Sequence, residues 1–112
     1  MPSTELDLLR GTLDLLALKA LSWGEMHGLG VLRWIEQASQ DRLQITEGAL
    51  YPALHRMEER GWLEAEWATT DRNREAKFYR LTPAGRRALT AELLKWSRYS
   101  ETVGLVLAAK GA

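Results

Sequence analysis

The stretch from Thr46 to Leu81, TEGALYPALHRMEERGWLEAEWATTDRNREAKFYRL, changes its hydrophobic period partway along. Its first half has apolar residues three and four positions apart, the period of one helix face. These residues are Leu50, Ala53, Leu54 and Met57. Beyond them the period falls to two, with Leu63, Ala65 and Trp67 on one face, which is typical of a half-buried strand. The stretch therefore predicts an amphipathic helix followed by β-structure.

A second strand is predicted over residues 77–81, after the polar loop of residues 69–75, and it can pair back antiparallel with the first. Thr46 can cap the helix at its first free amides, and Gly61 ends it. A helix followed by such a hairpin is typical of a winged helix-turn-helix. The helix and the hairpin of that fold fit adjacent grooves of a DNA duplex.

Two helices are predicted before this stretch. Leucines spaced by three and four residues predict the first helix from about Thr4 to Trp23. The same spacing predicts a second helix that ends near Ser39. Its apolar residues are Val31, Leu32, Ile35 and Ala38.

After the hairpin, Thr82 and Pro83 predict the start of a fourth helix that runs towards Ala108, because threonine caps well and proline is tolerated at the first helical position. The fold class is thus mainly α with a small β-hairpin, in the order three helices, two strands and one helix. We expect residues 1–82 to form the DNA-binding domain and residues 83–112 to form a C-terminal dimerisation helix packed on the same domain.

Composition limits the function. The 112 residues suffice for one domain, and 15 basic and 15 acidic side chains give a formal net charge of zero. That balance argues against a histone-like binder but allows a specific binder with a local basic face. The absence of cysteine is compatible with the cytoplasm. No apolar run approaches the roughly 20 residues of a membrane-spanning helix, so we expect no membrane association.

The third helix offers Tyr51, His55 and Arg56 on a face away from its apolar residues. Such side chains suit hydrogen bonds to base edges and phosphates, although ordinary solvated residues would look the same. Pro52 costs about 3 kcal/mol inside a helix. Either the regular helix begins at Tyr51, or the first turn is bent so that Ala49 and Tyr51 approach DNA.

The hairpin loop carries long cationic side chains that suit a narrow minor groove. A solvated hairpin tip would look similar, and only the adjoining helix favours DNA. The candidate DNA-binding residues are Thr46, Glu47, Gly48, Ala49, Tyr51, Pro52, His55 and Arg56 of the helix, and Arg72, Asn73, Arg74, Lys77 and Tyr79 of the hairpin.

Apolar residues of the fourth helix alternate spacings of four and three, the seam of a coiled coil. The seam residues, which we predict to form a dimer interface, are Leu89, Leu93, Trp96, Ser100, Val103 and Leu107. The alternative is a fourth helix that folds back onto the first. In a dimer, Trp96 and Tyr99 can form a slot for a flat apolar ligand, although plain packing is the commoner role. The other tryptophans are predicted to lie in or at the edge of the core; they are Trp23, Trp34, Trp62 and Trp67.

Enzyme function is not supported. No catalytic triad, metalloprotease, phosphate-loop or dinucleotide-binding motif occurs in the sequence. His27 and His55 lack a second histidine at metal-ligand spacing, and His27 is better explained as a structural residue. We therefore expect no catalytic residue, no metal and no cofactor.

The sequence resembles the PadR-like winged-helix transcriptional regulators along nearly its whole length, and the helix-three motif together with the Lys77-Phe78-Tyr79 strand makes the resemblance specific. The matching segments are Leu9-Arg10-Gly11-Thr12-Leu13, His27-Gly28, Gly48 to Leu54, Glu59-Arg60-Gly61-Trp62, Asn73-Arg74, Lys77-Phe78-Tyr79, Leu81-Thr82 and Gly85. The resemblance implies repression of transcription, a C-terminal dimerisation helix and a small aromatic or drug-like effector.

The resemblance also places Tyr51 and the start of the third helix at bases or phosphates, and Arg74 and Lys77 at the DNA backbone or minor groove. Two positions depart from the family pattern: Leu29 replaces a frequent tyrosine, and Glu75 replaces a frequent basic residue.

We therefore predict a homodimeric repressor that binds an inverted-repeat operator in double-stranded DNA, with half-sites about 10 bp or a multiple of it apart. The alternative is a winged-helix module that binds a protein or a small molecule without DNA. The acids near the reading face favour that alternative: Glu47, Glu58, Glu59 and Glu75.

Overall fold

A computed structural model describes residues 11–111 of the chain. Four helices and three strands follow one another in the order α1, β1, α2, α3, β2, β3 and α4. Their bounds are Thr12–Leu21, Met26–His27, Gly28–Ala38, Glu47–Glu59, Leu63–Thr69, Glu75–Leu81 and Pro83–Ala108. The fold class predicted from the sequence is confirmed, with one additional short strand. The predicted start of the first helix, residues 4–10, lies outside the described residues.

The three strands form an antiparallel sheet in the order β1-β3-β2. Leu63 of β2 pairs with Leu81, and the ladder continues to Thr69 and Glu75. The predicted loop is therefore shorter than expected, because its two end residues belong to the strands. The extra strand β1 places His27 opposite Phe78. Two residues are too few to show an alternating pattern, which explains why the sequence did not indicate it.

One hydrophobic core joins α1, α2 and α3 to the inner face of the hairpin. Leu18, Leu50, Leu54 and Met57 are fully buried in it. Trp34 and Trp62 are partly buried against this core, as expected, but Trp23 and Trp67 are 68% and 67% exposed. The prediction that these two tryptophans belong to the core is wrong. Trp23 lies in the turn after α1, and Trp67 lies in the half of β2 towards the tip, where every residue is exposed.

The start of α4 is tied to the turn after α3. Thr82 caps the helix by accepting a hydrogen bond from the N–H of Gly85 at 3.0 Å, and its hydroxyl donates to the carbonyl of Gly61 at 2.6 Å. Pro83 occupies the first turn, as predicted. A Cβ atom at Gly85 would overlap the backbone of Trp62, so glycine is needed for this close approach. The base of the hairpin and the long helix are therefore fixed together.

Only the first part of α4 packs against the rest of the described residues. It contacts α1 and β3, where Ala88 and Leu89 join the edge of the core. From Leu93 onwards the apolar side chains are exposed, and Leu107 reaches 80% exposure. Within residues 11–111, folding back onto the first helix therefore covers only the beginning of α4.

Candidate DNA-binding surface

The α3 helix begins at Glu47, and Thr46 caps it. The Thr46 hydroxyl accepts a hydrogen bond from the N–H of Ala49 at 3.1 Å. The helix then continues through Pro52 to Glu59, so the alternative in which it begins at Tyr51 is wrong. Because Pro52 has no N–H, the Gly48 carbonyl lacks its usual helical partner. Both residues are exposed, so this gap in the helix hydrogen bonding lies on the surface.

The exposed side of α3 has little bulk at its centre. Successive residues of a helix are about 100° apart, which puts Gly48, Pro52, His55 and Glu59 directly opposite the buried leucines. All four are exposed. Gly48 and Pro52 have no long side chain, so the first half of this side allows the helix backbone to come close to a partner. Tyr51 borders it on the hairpin side, and Arg56 borders it on the α1 side.

Tyr51 is partly seated against the neighbouring helix. Its side chain is 41% exposed, and its ring lies against Gly28 at the start of α2. Burial raises the pKa of the Tyr51 hydroxyl, and the nearby Glu47 and Tyr79 raise it further. The hydroxyl therefore stays neutral at physiological pH, and it can donate one hydrogen bond and accept others.

Both basic candidates on α3, Arg56 and His55, face acids. Arg56 makes an ion pair with Asp14 of α1 at 3.0 Å, and His55 lies 3.4 Å from Glu59 one turn along. The Arg56 side chain remains half exposed. The structure thus places both residues at the surface, but a phosphate would have to compete with the acids that already hold them.

The wing, which we define as β2, β3 and the loop 70–74, ends in a tip held by Thr70. The Thr70 N–H donates to the carbonyl of Arg74 at 2.7 Å, and its hydroxyl accepts from the N–H groups of Arg72 and Arg74 at 3.3 Å each. Asn73 adopts a left-handed conformation with φ of 58°, which asparagine tolerates better than most residues. Arg72 and Arg74 are exposed, and neither makes an ion pair within residues 11–111.

Lys77 and Tyr79 lie on the inner face of the wing rather than at its tip. The Lys77 ammonium donates to Glu58 of α3 at 2.9 Å, and this hydrogen bond raises the Lys77 pKa. Tyr79 is only 7% exposed and belongs to the core. The prediction that Tyr79 contacts DNA needs correction, because a strand residue opposite Ala65 points towards the helices.

The outer face of the wing is acidic. Arg80 lies there among Glu25, Glu64 and Glu66, with ion-pair distances of 3.8, 3.2 and 2.9 Å. One arginine among three carboxylates leaves a net negative charge, which repels phosphates. The tip of the wing and its inner face, which looks towards α3, are therefore the parts of the wing suited to a nucleic acid.

A model of the transcriptional regulator PadR-like family matches residues 17–91, two thirds of the chain, and includes α3 and the complete wing. The chain belongs to the PadR-like family of transcriptional regulators. This confirms the resemblance seen in the sequence. Because members of the family are transcriptional regulators, it also confirms the prediction that the chain is not an enzyme.

Individual proteins are also similar to this chain. The transcriptional regulator Rv3488 of Mycobacterium tuberculosis is 42% identical over 69 residues, which are 61% of this chain and 60% of that protein. A PadR family regulator from Eggerthella lenta is 29% identical with a TM-score of 0.78, covering 90% of this chain and 86% of that chain. A PadR-like regulator from Bacillus cereus shares the fold, with 24% identity, a TM-score of 0.76 and coverage of 91% and 97%.

Trp67 is an exposed residue of the candidate surface that the sequence did not indicate as a DNA-binding residue. It lies opposite Lys77, on the face of the wing that looks towards α3, and two thirds of its surface is exposed. Strand alternation correctly placed it on the inner face. Alternation does not show, however, that no helix within residues 11–111 covers this position.

The predicted ligand residues lie side by side on α4. The rings of Trp96 and Tyr99 are 6.3 Å apart at an angle of 40°, and both are at least 40% exposed. Since both belong to one helix, they form one wall of a slot, and the opposite wall has to come from elsewhere.

Within residues 11–111, no helix has the length and apolar character needed to cross a membrane.

Proposed function

We propose that the chain is a cytoplasmic, homodimeric repressor that binds an inverted-repeat operator. In each protomer the first half of α3 enters the major groove and the wing tip enters the adjacent minor groove. The observation that carries this proposal is the position of Arg72 and Arg74. These two exposed cations flank Asn73 and make no ion pair within residues 11–111. They lie at the end of a hairpin beside a capped helix with an exposed tyrosine.

The acids that favour a module without DNA binding are partly neutralised. Glu58 pairs with Lys77, which leaves Glu47, Glu59 and Glu75 without a Lys or Arg partner within residues 11–111. At the tip, Arg72 and Arg74 outnumber Asp71 and leave an excess positive charge there. Because Coulomb attraction falls with distance, the protruding arginines meet a phosphate first.

Residues 1–82 would act as the DNA-binding domain and residues 83–112 as the dimerisation helix. The support is the unpaired apolar side of α4, where Leu93, Trp96 and Val103 of the seam are exposed. A contiguous apolar surface of this kind marks an interaction site. A second α4 along the seam would cover it, and the two Trp96–Tyr99 pairs would then border a slot for a small aromatic effector.

The test is a gel-shift titration with the chain's own promoter at moderate salt and with excess random DNA, together with light scattering. We expect a dimer and a competition-resistant complex. Leu93→Asp should give monomers and weaken operator binding in parallel, whereas Leu94→Asp, a neighbouring exposed leucine outside the seam, should do neither. Loss of the complex at moderate salt would favour the module without DNA binding, and an unchanged Leu93→Asp dimer would disprove the seam.

A further inference from the structure

Gly28 leaves room for the ring of Tyr51. Gly28 is the buried first residue of α2, and a Cβ atom built there would overlap ring carbon Cε1 of Tyr51 and approach Cδ1 to 3.1 Å. A Cβ atom at Gly30, in the next half turn, would make only ordinary contacts of 3.5 Å or more. The two glycines thus differ in one respect: only the first is required by a side chain of α3.

The backbone around Gly28 is held from two sides. His27 pairs with Phe78 in the sheet and packs its ring edge-on against the Phe78 ring, at a centroid distance of 5.4 Å. Its Nδ1 atom also caps α2 by accepting the N–H of Gly30 at 3.0 Å. The start of α2 is therefore held in place, and a side chain added at Gly28 would displace the Tyr51 ring rather than the helix.

We infer that Gly28 is a positioning residue for DNA recognition: it seats one face of the Tyr51 ring, so that the exposed part of that side chain meets the major groove in a fixed orientation. This inference rests on the proposed function of α3. A side chain held in its binding orientation before contact loses less conformational entropy on binding. Through this contact α2 would contribute to base recognition without touching a base.

The test compares Gly28→Ala with Gly30→Ala, two identical substitutions in one helix, alone and combined with Tyr51→Ala. Gly28→Ala should weaken operator binding about tenfold and leave random-DNA binding unchanged, since a displaced reading residue lowers specificity rather than charge. Gly30→Ala should stay within about twofold. In the Tyr51→Ala background, Gly28→Ala should have no further effect, because coupled positions are not additive.

Thermal unfolding keeps the inference testable without DNA. Gly28→Ala should lower the melting temperature of the wild type but not that of Tyr51→Ala, which lacks the ring that the new methyl group would strike. An equal drop in both backgrounds would overturn the contact between Gly28 and Tyr51. If the wild type binds its operator and Gly28→Ala binds it as tightly as Gly30→Ala does, the positioning role is wrong while the proposed function stands. A wild type that binds no operator contradicts the proposed function instead.

Discussion

The α3 helix and the wing tip each carry two basic side chains, but only those on α3 lie against acids. On α3, Arg56 is paired with Asp14, and His55 faces Glu59. At the tip, Arg72 and Arg74 have no ion-pair partner among residues 11–111, and Thr70 fixes the backbone beneath them. The helix therefore presents no excess of positive charge, whereas the tip presents one, because Arg72 and Arg74 outnumber Asp71.

This difference suggests that, in a chain with no net charge, the tip and α3 contribute differently to attraction by phosphates and to recognition of bases. Attraction to phosphates depends on ionic contacts and weakens with salt, so most of it should come from the tip. Recognition of bases depends on short hydrogen bonds and close packing. Those are available from Tyr51 and from the low profile of Gly48 and Pro52.

The largest expected effect comes from removing the tip charges. Arg72→Ala combined with Arg74→Ala should lower affinity for operator and random DNA alike by about tenfold, and it should make the salt dependence shallower by about two counterions. The measurement is fluorescence anisotropy over a range of salt concentrations. Arg87→Ala combined with Arg98→Ala removes two exposed arginines from α4 and should leave the slope unchanged. Equal slopes for the two pairs would mean that only total charge matters.

The second prediction concerns Trp67, which lies between the two regions. If DNA covers the inner face of the wing, Trp67→Ala should cost about 1 kcal/mol of binding, or about fivefold, through lost apolar burial. The salt slope should not change, because no charge is removed. Trp23 is almost equally exposed but lies after α1, so Trp23→Ala is the matched control and should bind normally. A loss shared by both variants would point to a general effect on folding.

Much of this surface follows from local sequence signals. The Thr46 cap, the buried face around Leu54 and the helix start at Pro83 each depend on residues within a few positions of one another. The structure reproduces all three. The hairpin itself was also predictable, because the change of period occurs within the segment that forms it.

The features that the sequence did not reveal depend on distant parts of the chain. Arg56 meets Asp14 across 42 positions, and Lys77 meets Glu58 across 19. The burial of Tyr79 and the exposure of Trp67 depend on where the helices end above the sheet. Hydrophobic alternation reports which face of a strand a residue occupies, but not how far the covering layer extends.

Releasing a cation on α3 should make the helix resemble the tip. Asp14→Asn removes the partner of Arg56, so DNA affinity at low salt should rise about threefold, and the salt dependence should steepen by about one counterion. Glu92→Gln is the matched control, because it frees Lys95 from a similar pair on α4 and changes the net charge equally. If both variants gain affinity equally, Arg56 is not part of the DNA-binding surface.

The smallest effect concerns the contact between α3 and the inner face of the wing at high pH. The pKa values of Tyr51 and Tyr79 are raised chiefly by burial, and that of Lys77 chiefly by its hydrogen bond to Glu58. A group whose pKa is higher in the folded state adds stability below its unfolded pKa and loses it as the pH rises through the folded value. The melting temperature should therefore be insensitive to these groups near neutral pH and fall above about pH 10. Tyr51→Phe keeps the ring but not the ionisable hydroxyl, so it should make this fall shallower, and an equally steep fall in Tyr51→Phe would exclude Tyr51 as a contributor.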